Sequence, residues 1–186
     1  LQVGNNSDGT LTISEGGQVN VGNYLAIGYR STGTVNVDGS GSLLDAPAGI
    51  FIGLGDHGEL NLNGGNASGG EMRVGFSSGA SGETNSVTIG AGSTLTVDSA
   101  AVGLGSSGAI TVNAGGRLES GNLSIRGTGT LEVTGAGAEV AVNGTGVELI
   151  IEGGGTVAVR EGGSIAVGGD FIAVYTAATL TVGADS

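Results

Sequence analysis

The feature that most constrains this chain is that it repeats itself. Leu25-Ala26-Ile27-Gly28, Gly33-Thr34-Val35-Asn36-Val37 and Gly41-Ser42-Leu43 spell three short apolar or alternating runs separated by glycine turns. The phrase recurs about eight times in 186 residues. A unit this short buries its apolar face only by stacking on its neighbours.

Three classes of run can be followed. The first begins at Leu1, Leu25, Ile50, Met72, Ala100, Leu123, Leu149 and Phe171. The second is the most regular, with Leu11-Thr12-Ile13, Val35-Asn36-Val37, Leu60-Asn61-Leu62 and Val87-Thr88-Ile89 leading to Leu180-Thr181-Val182. From Leu11 to Leu180, seven steps cover 169 residues, about 24 each. The third class contains Val19, Leu43, Leu95, Leu118, Val140 and Ile165, and its third member is weak, within 64–70.

Residues i and i+2 of a strand share a face. In the second class both flanking positions are aliphatic and the middle one is Thr, Asn, Glu or Ala, so one face enters a core and the other meets solvent. The runs are too short for helices, and a hairpin meander gives no reason for a fixed three-run cycle. The expected fold is all-β: a parallel β-solenoid of three short strands per coil of about 24 residues, in about eight coils, each class forming its own sheet. At the usual strand spacing it is a rod roughly 35–40 Å long.

Composition agrees. The 42 glycines lack an every-third-residue rhythm, which excludes collagen. Matched aliphatic positions argue against a disordered linker. Five arginines, no lysine and 17 acids give a net charge of −12, a surface that repels nucleic acid and anionic lipid. Without cysteine there is neither a disulfide framework nor a thiolate site. No signal peptide or 18-residue apolar run is present, so no direct membrane insertion by this segment is expected. A repeat is already under way at Leu1, and the expectation is one β-solenoid domain over 1–186, a fragment of a longer protein.

Departures from the unit mark candidate surfaces. Insertions are expected near 64–86 and 144–155, either drift in a tolerant corner or the binding side of the rod. They offer Gly64, Asn66, Arg73, Ser77, Glu83 and Glu148 as surface-loop residues. Tyr29, Leu54, Phe76 and Leu104 each follow a corner glycine and form a stripe, either a partner-contact strip or a packed corner.

Signals for chemistry are few. His57 is the only histidine, and adjacent Asp56 favours a solvated turn over a metal or acid–base site. Glycoside hydrolysis needs two acids about 5–9.5 Å apart. Glu119 and Glu139 occupy successive copies, but Arg117 lies close by, and Glu132 is the only acid in the outward row of the second class. Asp8, Asp38, Asp56 and Asp170 sit at corners where calcium could be met, yet they form no ladder. No enzyme, cofactor or metal site is expected.

The text of residues 25–43, with its cousin from Ile52-Gly53 through Leu62, resembles the repeat of passenger regions in bacterial autotransporters and related surface proteins. The resemblance covers essentially 1–182 and weakens after 144. It implies a right-handed, single-stranded parallel β-helix, type V secretion, and a place at the outer-membrane surface or outside the cell. It also implies a C-terminal β-barrel translocator elsewhere in the protein. The implied role is adhesion to a host or bacterial surface ligand, self-association or biofilm formation. A non-binding stalk and a carbohydrate-active β-helix are the alternatives.

Overall fold

The computed structural model describes residues 1–77, 82, 84–145, 147–169 and 171–183. The chain winds as a right-handed parallel β-solenoid of about 24 residues per coil and seven to eight turns. Among the described residues every pairing between strands is parallel, and each strand between the end coils pairs with those of the coil before and the coil after.

The second class forms an eight-stranded sheet, here the narrow sheet, from Gly9–Ile13 through Gly33–Asp38, Gly58–Asn63, Asn85–Ile89, Gly108–Val112, Gly129–Thr134 and Thr156–Arg160 to Thr179–Val182. The other two classes do not form separate sheets. They merge into one twelve-stranded wide sheet, because mid-molecule the chain passes from third class to first without leaving β conformation. Asn66–Val74, Thr94–Val102 and Arg117–Arg126 are each one long strand spanning both classes. Elsewhere the passage is interrupted: Gly22 and Pro47 lie in the breaks after Gln18–Asn20 and Leu43–Ala46. Pro47 has no N–H to continue a ladder.

The core is a set of aliphatic ladders. Leu11, Val35, Leu60, Val87, Ile110, Leu131 and Val157 stack in register on the narrow sheet, facing Leu25, Ile50, Met72, Ala100, Leu123 and Leu149 on the wide one. All but Leu11, which packs against the core from the first coil, are buried. Each fully buried aliphatic side chain contributes about 1.5–3 kcal/mol.

The third ladder differs from the sequence reading at one residue. Leu44, not Leu43, pairs with Val19 and Ala67, and Leu44 and Ala46 are both 0% exposed. Turning Leu43 inward would carry Asp45 inward with it, a buried charge that costs several kcal/mol unless paired. With Leu44 inward, Asp45 faces out and accepts the Ser68 hydroxyl at 2.6 Å. The weak third member is Ala67, 2% exposed within a regular strand.

Both irregular stretches are narrower than the sequence suggests. Residues 66–74 are sheet, and the extra length falls between Gly75 and Asn85, where the equivalent corners run only from Gly28 to Gly33 or Gly103 to Gly108. In the second stretch, Val147–Glu152 is a strand paired with Arg117–Arg126 and Phe171–Val174, and the register slips between Val147 and Leu149. The residue displaced by this bulge is Glu148.

Candidate functional site

The outer face of the wide sheet has the strongest relief. Register alignment gives one outward row as Ala26, Phe51, Arg73, Ala101, Ser124 and Ile150. Beside it, in the same coils, runs Glu71, Ser99 and Asn122. Large side chains stand at Arg73 and Ile150, and small ones at Ala101 and Ser124 between them. The result is an open groove of about 630 Å³. Its floor is Ser99, Ala101, Asn122 and Ser124, and Leu104 lies on its edge.

One wall is built from an aromatic cluster. Tyr24 meets Phe51 edge-on at 5.7 Å between ring centroids, and Phe51 meets Phe76 at 6.4 Å. The Arg73 guanidinium lies 4.7 Å from the Phe76 ring centre and 5.8 Å from that of Phe51, with Nε 2.7 Å from Glu71 Oε1. Cation–π contact and ion pair together fix a side chain that would otherwise sweep solvent. On the other wall Arg126 donates from Nε to Ser124 Oγ at 2.6 Å and lies 2.7 Å from Glu152 Oε1. Both cations of the groove are thus neutralised locally. A guanidinium has five N–H donors, so each keeps donors beyond its pairing through Nε. Among the described residues, the side chains of Ser99 and Asn122 have no hydrogen-bond partner.

Phe76, Arg73 and Leu104 come together in this groove. Tyr29 and Leu54 do not join them: both are half-buried at their corners, and the Tyr29 ring carries Arg30, 5.2 Å away. Three expected loop residues lie elsewhere. Asn66 and Arg73 are strand residues. Glu148 is 0% exposed, its Oε2 accepting the Gly169 N–H at 2.8 Å, while its Oε1 has no partner among the described residues. Gly64 occupies a turn at φ +85° and donates its N–H to Ser93 Oγ, and Ser77 donates its N–H to the Gly53 carbonyl. Glu83 and Asp170 lie outside the described residues. Sequence reasoning missed Phe51 and Tyr24. Phe51 could have been found as the one aromatic between the two inward isoleucines of Ile50–Ile52.

Several other acids hold the coil. Glu119 and Glu139 share Arg117, whose Nε lies 2.6 Å from Glu119 Oε1 and whose Nη1 pairs with Glu139. Hydrogen bonding to Glu119 raises the Arg117 pKa above its ordinary value, with Glu139 adding to the effect. Asp8 accepts the Thr32 N–H and Asp38 the Asn63 side-chain amide. Asp56 accepts the His57 N–H, and His57 Nε2 lies 3.1 Å from Glu59. Among the described residues no three His, Cys, Asp or Glu side chains are gathered to hold a metal ion. No helix among them is long and apolar enough to cross a membrane. Compared with models of protein families, with curated proteins and with solved structures, the chain matches none.

Proposed function

We propose that this chain is the rod of a bacterial surface protein of the autotransporter-passenger kind, and that it adheres through the groove on its wide sheet. The observation that carries the reading is the groove itself. It is a recess with an aromatic wall, two fixed guanidinium groups and unspent polar side chains, set on a stacked scaffold that needs none of them for its core. The resemblance of the repeat supports placement on the outer-membrane surface or outside the cell, with a host or bacterial surface ligand as partner. The charge of −12 supports a partner that is neither nucleic acid nor anionic lipid. The ties of Glu119 and Glu139 to Arg117 support binding over a carbohydrate-active role for that pair of acids. Many copies on one cell would convert weak single contacts into firm attachment.

The narrow sheet favours a second reading, a spacer. Its outward row runs through the short polar side chains of Thr12, Asn36, Asn61, Thr88 and Thr111 before Glu132 follows in register. The two are separated by coating beads with the purified chain and measuring attachment to bacterial and epithelial cells. Attachment above that of uncoated beads is the expected result, and its absence at every coating density would leave the spacer.

A further inference from the structure

Resting on the adhesive reading above, we infer that the wide-sheet groove binds an uncharged oligosaccharide lying along the rod axis. A chain at −12 repels polyanions at long range. The two cations that could reverse this locally, Arg73 and Arg126, are already paired with Glu71 and Glu152. The groove is therefore polar but electrically balanced.

Its chemistry matches a polyhydroxyl ligand with one apolar face. Planar side chains that present two polar atoms side by side, here Arg73, Glu71, Arg126 and Asn122, suit the neighbouring hydroxyls of a sugar ring. Phe76 and Leu104 supply an apolar surface for its C–H face. Ser99 and Asn122 on the floor can donate and accept without giving up a protein partner.

Dimensions agree. From the Arg73 row position to that of Ile150 is three coil steps, about 14 Å at the strand spacing. That length holds a short oligosaccharide laid flat. Arg73, Ser99, Ala101, Asn122, Ser124, Arg126 and Ile150 all stand on strands, so little ordering of the floor and the cationic walls is required on binding.

The test is a direct binding measurement on the purified chain. The probes are a panel of uncharged hexose and N-acetylhexosamine oligosaccharides and their uronic-acid and sulfated counterparts. At least one uncharged probe should bind, and more tightly than its charged counterparts. Ala101→Phe fills the groove at a row position where Phe51 and Ile150 already stand, so it should fold normally by circular dichroism and weaken binding about tenfold or more. Asn122→Ala, which removes a floor contact without adding bulk, should weaken it measurably. Asn61→Ala on the narrow sheet should leave it unchanged. No uncharged probe bound, tighter binding of the anionic series, or undiminished binding by both groove variants would each overturn the inference. If coated beads still attach to cells and neither soluble sugar nor Ala101→Phe reduces attachment, the ligand class is wrong while adhesion stands. If beads fail to attach at all, adhesion itself fails.

Discussion

The side-chain amide of Asn85 stands in for a backbone carbonyl at the corner of Gly58. At the preceding corners Gly9 donates its N–H to the Thr32 carbonyl and Gly33 to the His57 carbonyl, each one coil on. Gly58 instead donates to Asn85 Oδ1 at 2.9 Å, while Asn85 Nδ2 reaches Ser106 Oγ and the Ser107 carbonyl. The chain is longer before Asn85 than at those corners, and here a side chain that is itself 0% exposed takes the place of the backbone carbonyl. Asn85→Ala should cost about 1–3 kcal/mol, because the buried Gly58 N–H is left without an acceptor. Asn85→Asp keeps an acceptor but loses the donors and buries a carboxylate against the Ser107 carbonyl, so in urea unfolding at neutral pH it should cost at least as much as Asn85→Ala.

Two glycines with nearly the same backbone separate strain from close approach. Gly16 has φ +77° and open space where a Cβ would be; Gly28 has φ +71°, and a Cβ there would sit 2.4 Å from the His57 carbonyl oxygen. Gly16→Ala should cost about 1–2 kcal/mol, the penalty of left-handed backbone. Gly28→Ala should cost roughly 2–5 kcal/mol, since the next coil must shift as well. Equal losses in thermal unfolding would mean that coil-to-coil contact at Gly28 is looser than described.

The register of the third ladder can be read by truncation. Leu44→Ala should destabilise by about 2–5 kcal/mol and Leu43→Ala by less than half as much, since only Leu44 is fully enclosed. The reverse order in denaturant unfolding would restore the phase read from sequence.

Arg117 links two coils through Glu119 and Glu139 at a half-exposed site. Arg117→Ala leaves those two carboxylates as diagonal neighbours across the coil step with no cation between them. The expected loss is small, about 1 kcal/mol or less, and should shrink as salt rises from about 0.01 to 1 M because exposed charges are screened. A loss independent of salt would point to packing by the arginine stem.

The repeat was legible because a solenoid writes its packing into one period. Leu60 and Leu62 flank Asn61, and the same phase recurs wherever the narrow sheet passes. Leu43 and Leu44 show where that ends: two adjacent leucines carry no phase of their own, and Asp45 decides. The two-sheet arrangement was not legible, because whether the chain stays in β conformation between the third class and the first, as it does through Thr94–Val102, depends on pairing with neighbouring coils. The groove was hidden for the same reason. Ala101 and Ser124 are ordinary small residues until the register sets them side by side between Arg73 and Ile150. Glu148 looked like a loop residue because charge usually signals solvent, and a bulge overrode that signal.

The pairing of each coil only with its two neighbours has a mechanical consequence. Such a rod behaves as a one-dimensional chain of couplings, able to zip from any formed coil, and it divides at its weakest joint rather than melting as one body. The slipped register at Glu148 is where the ladder between adjacent coils is least regular. Tension or heat would therefore part the last coils from the rest there first, leaving the grooved section still wound.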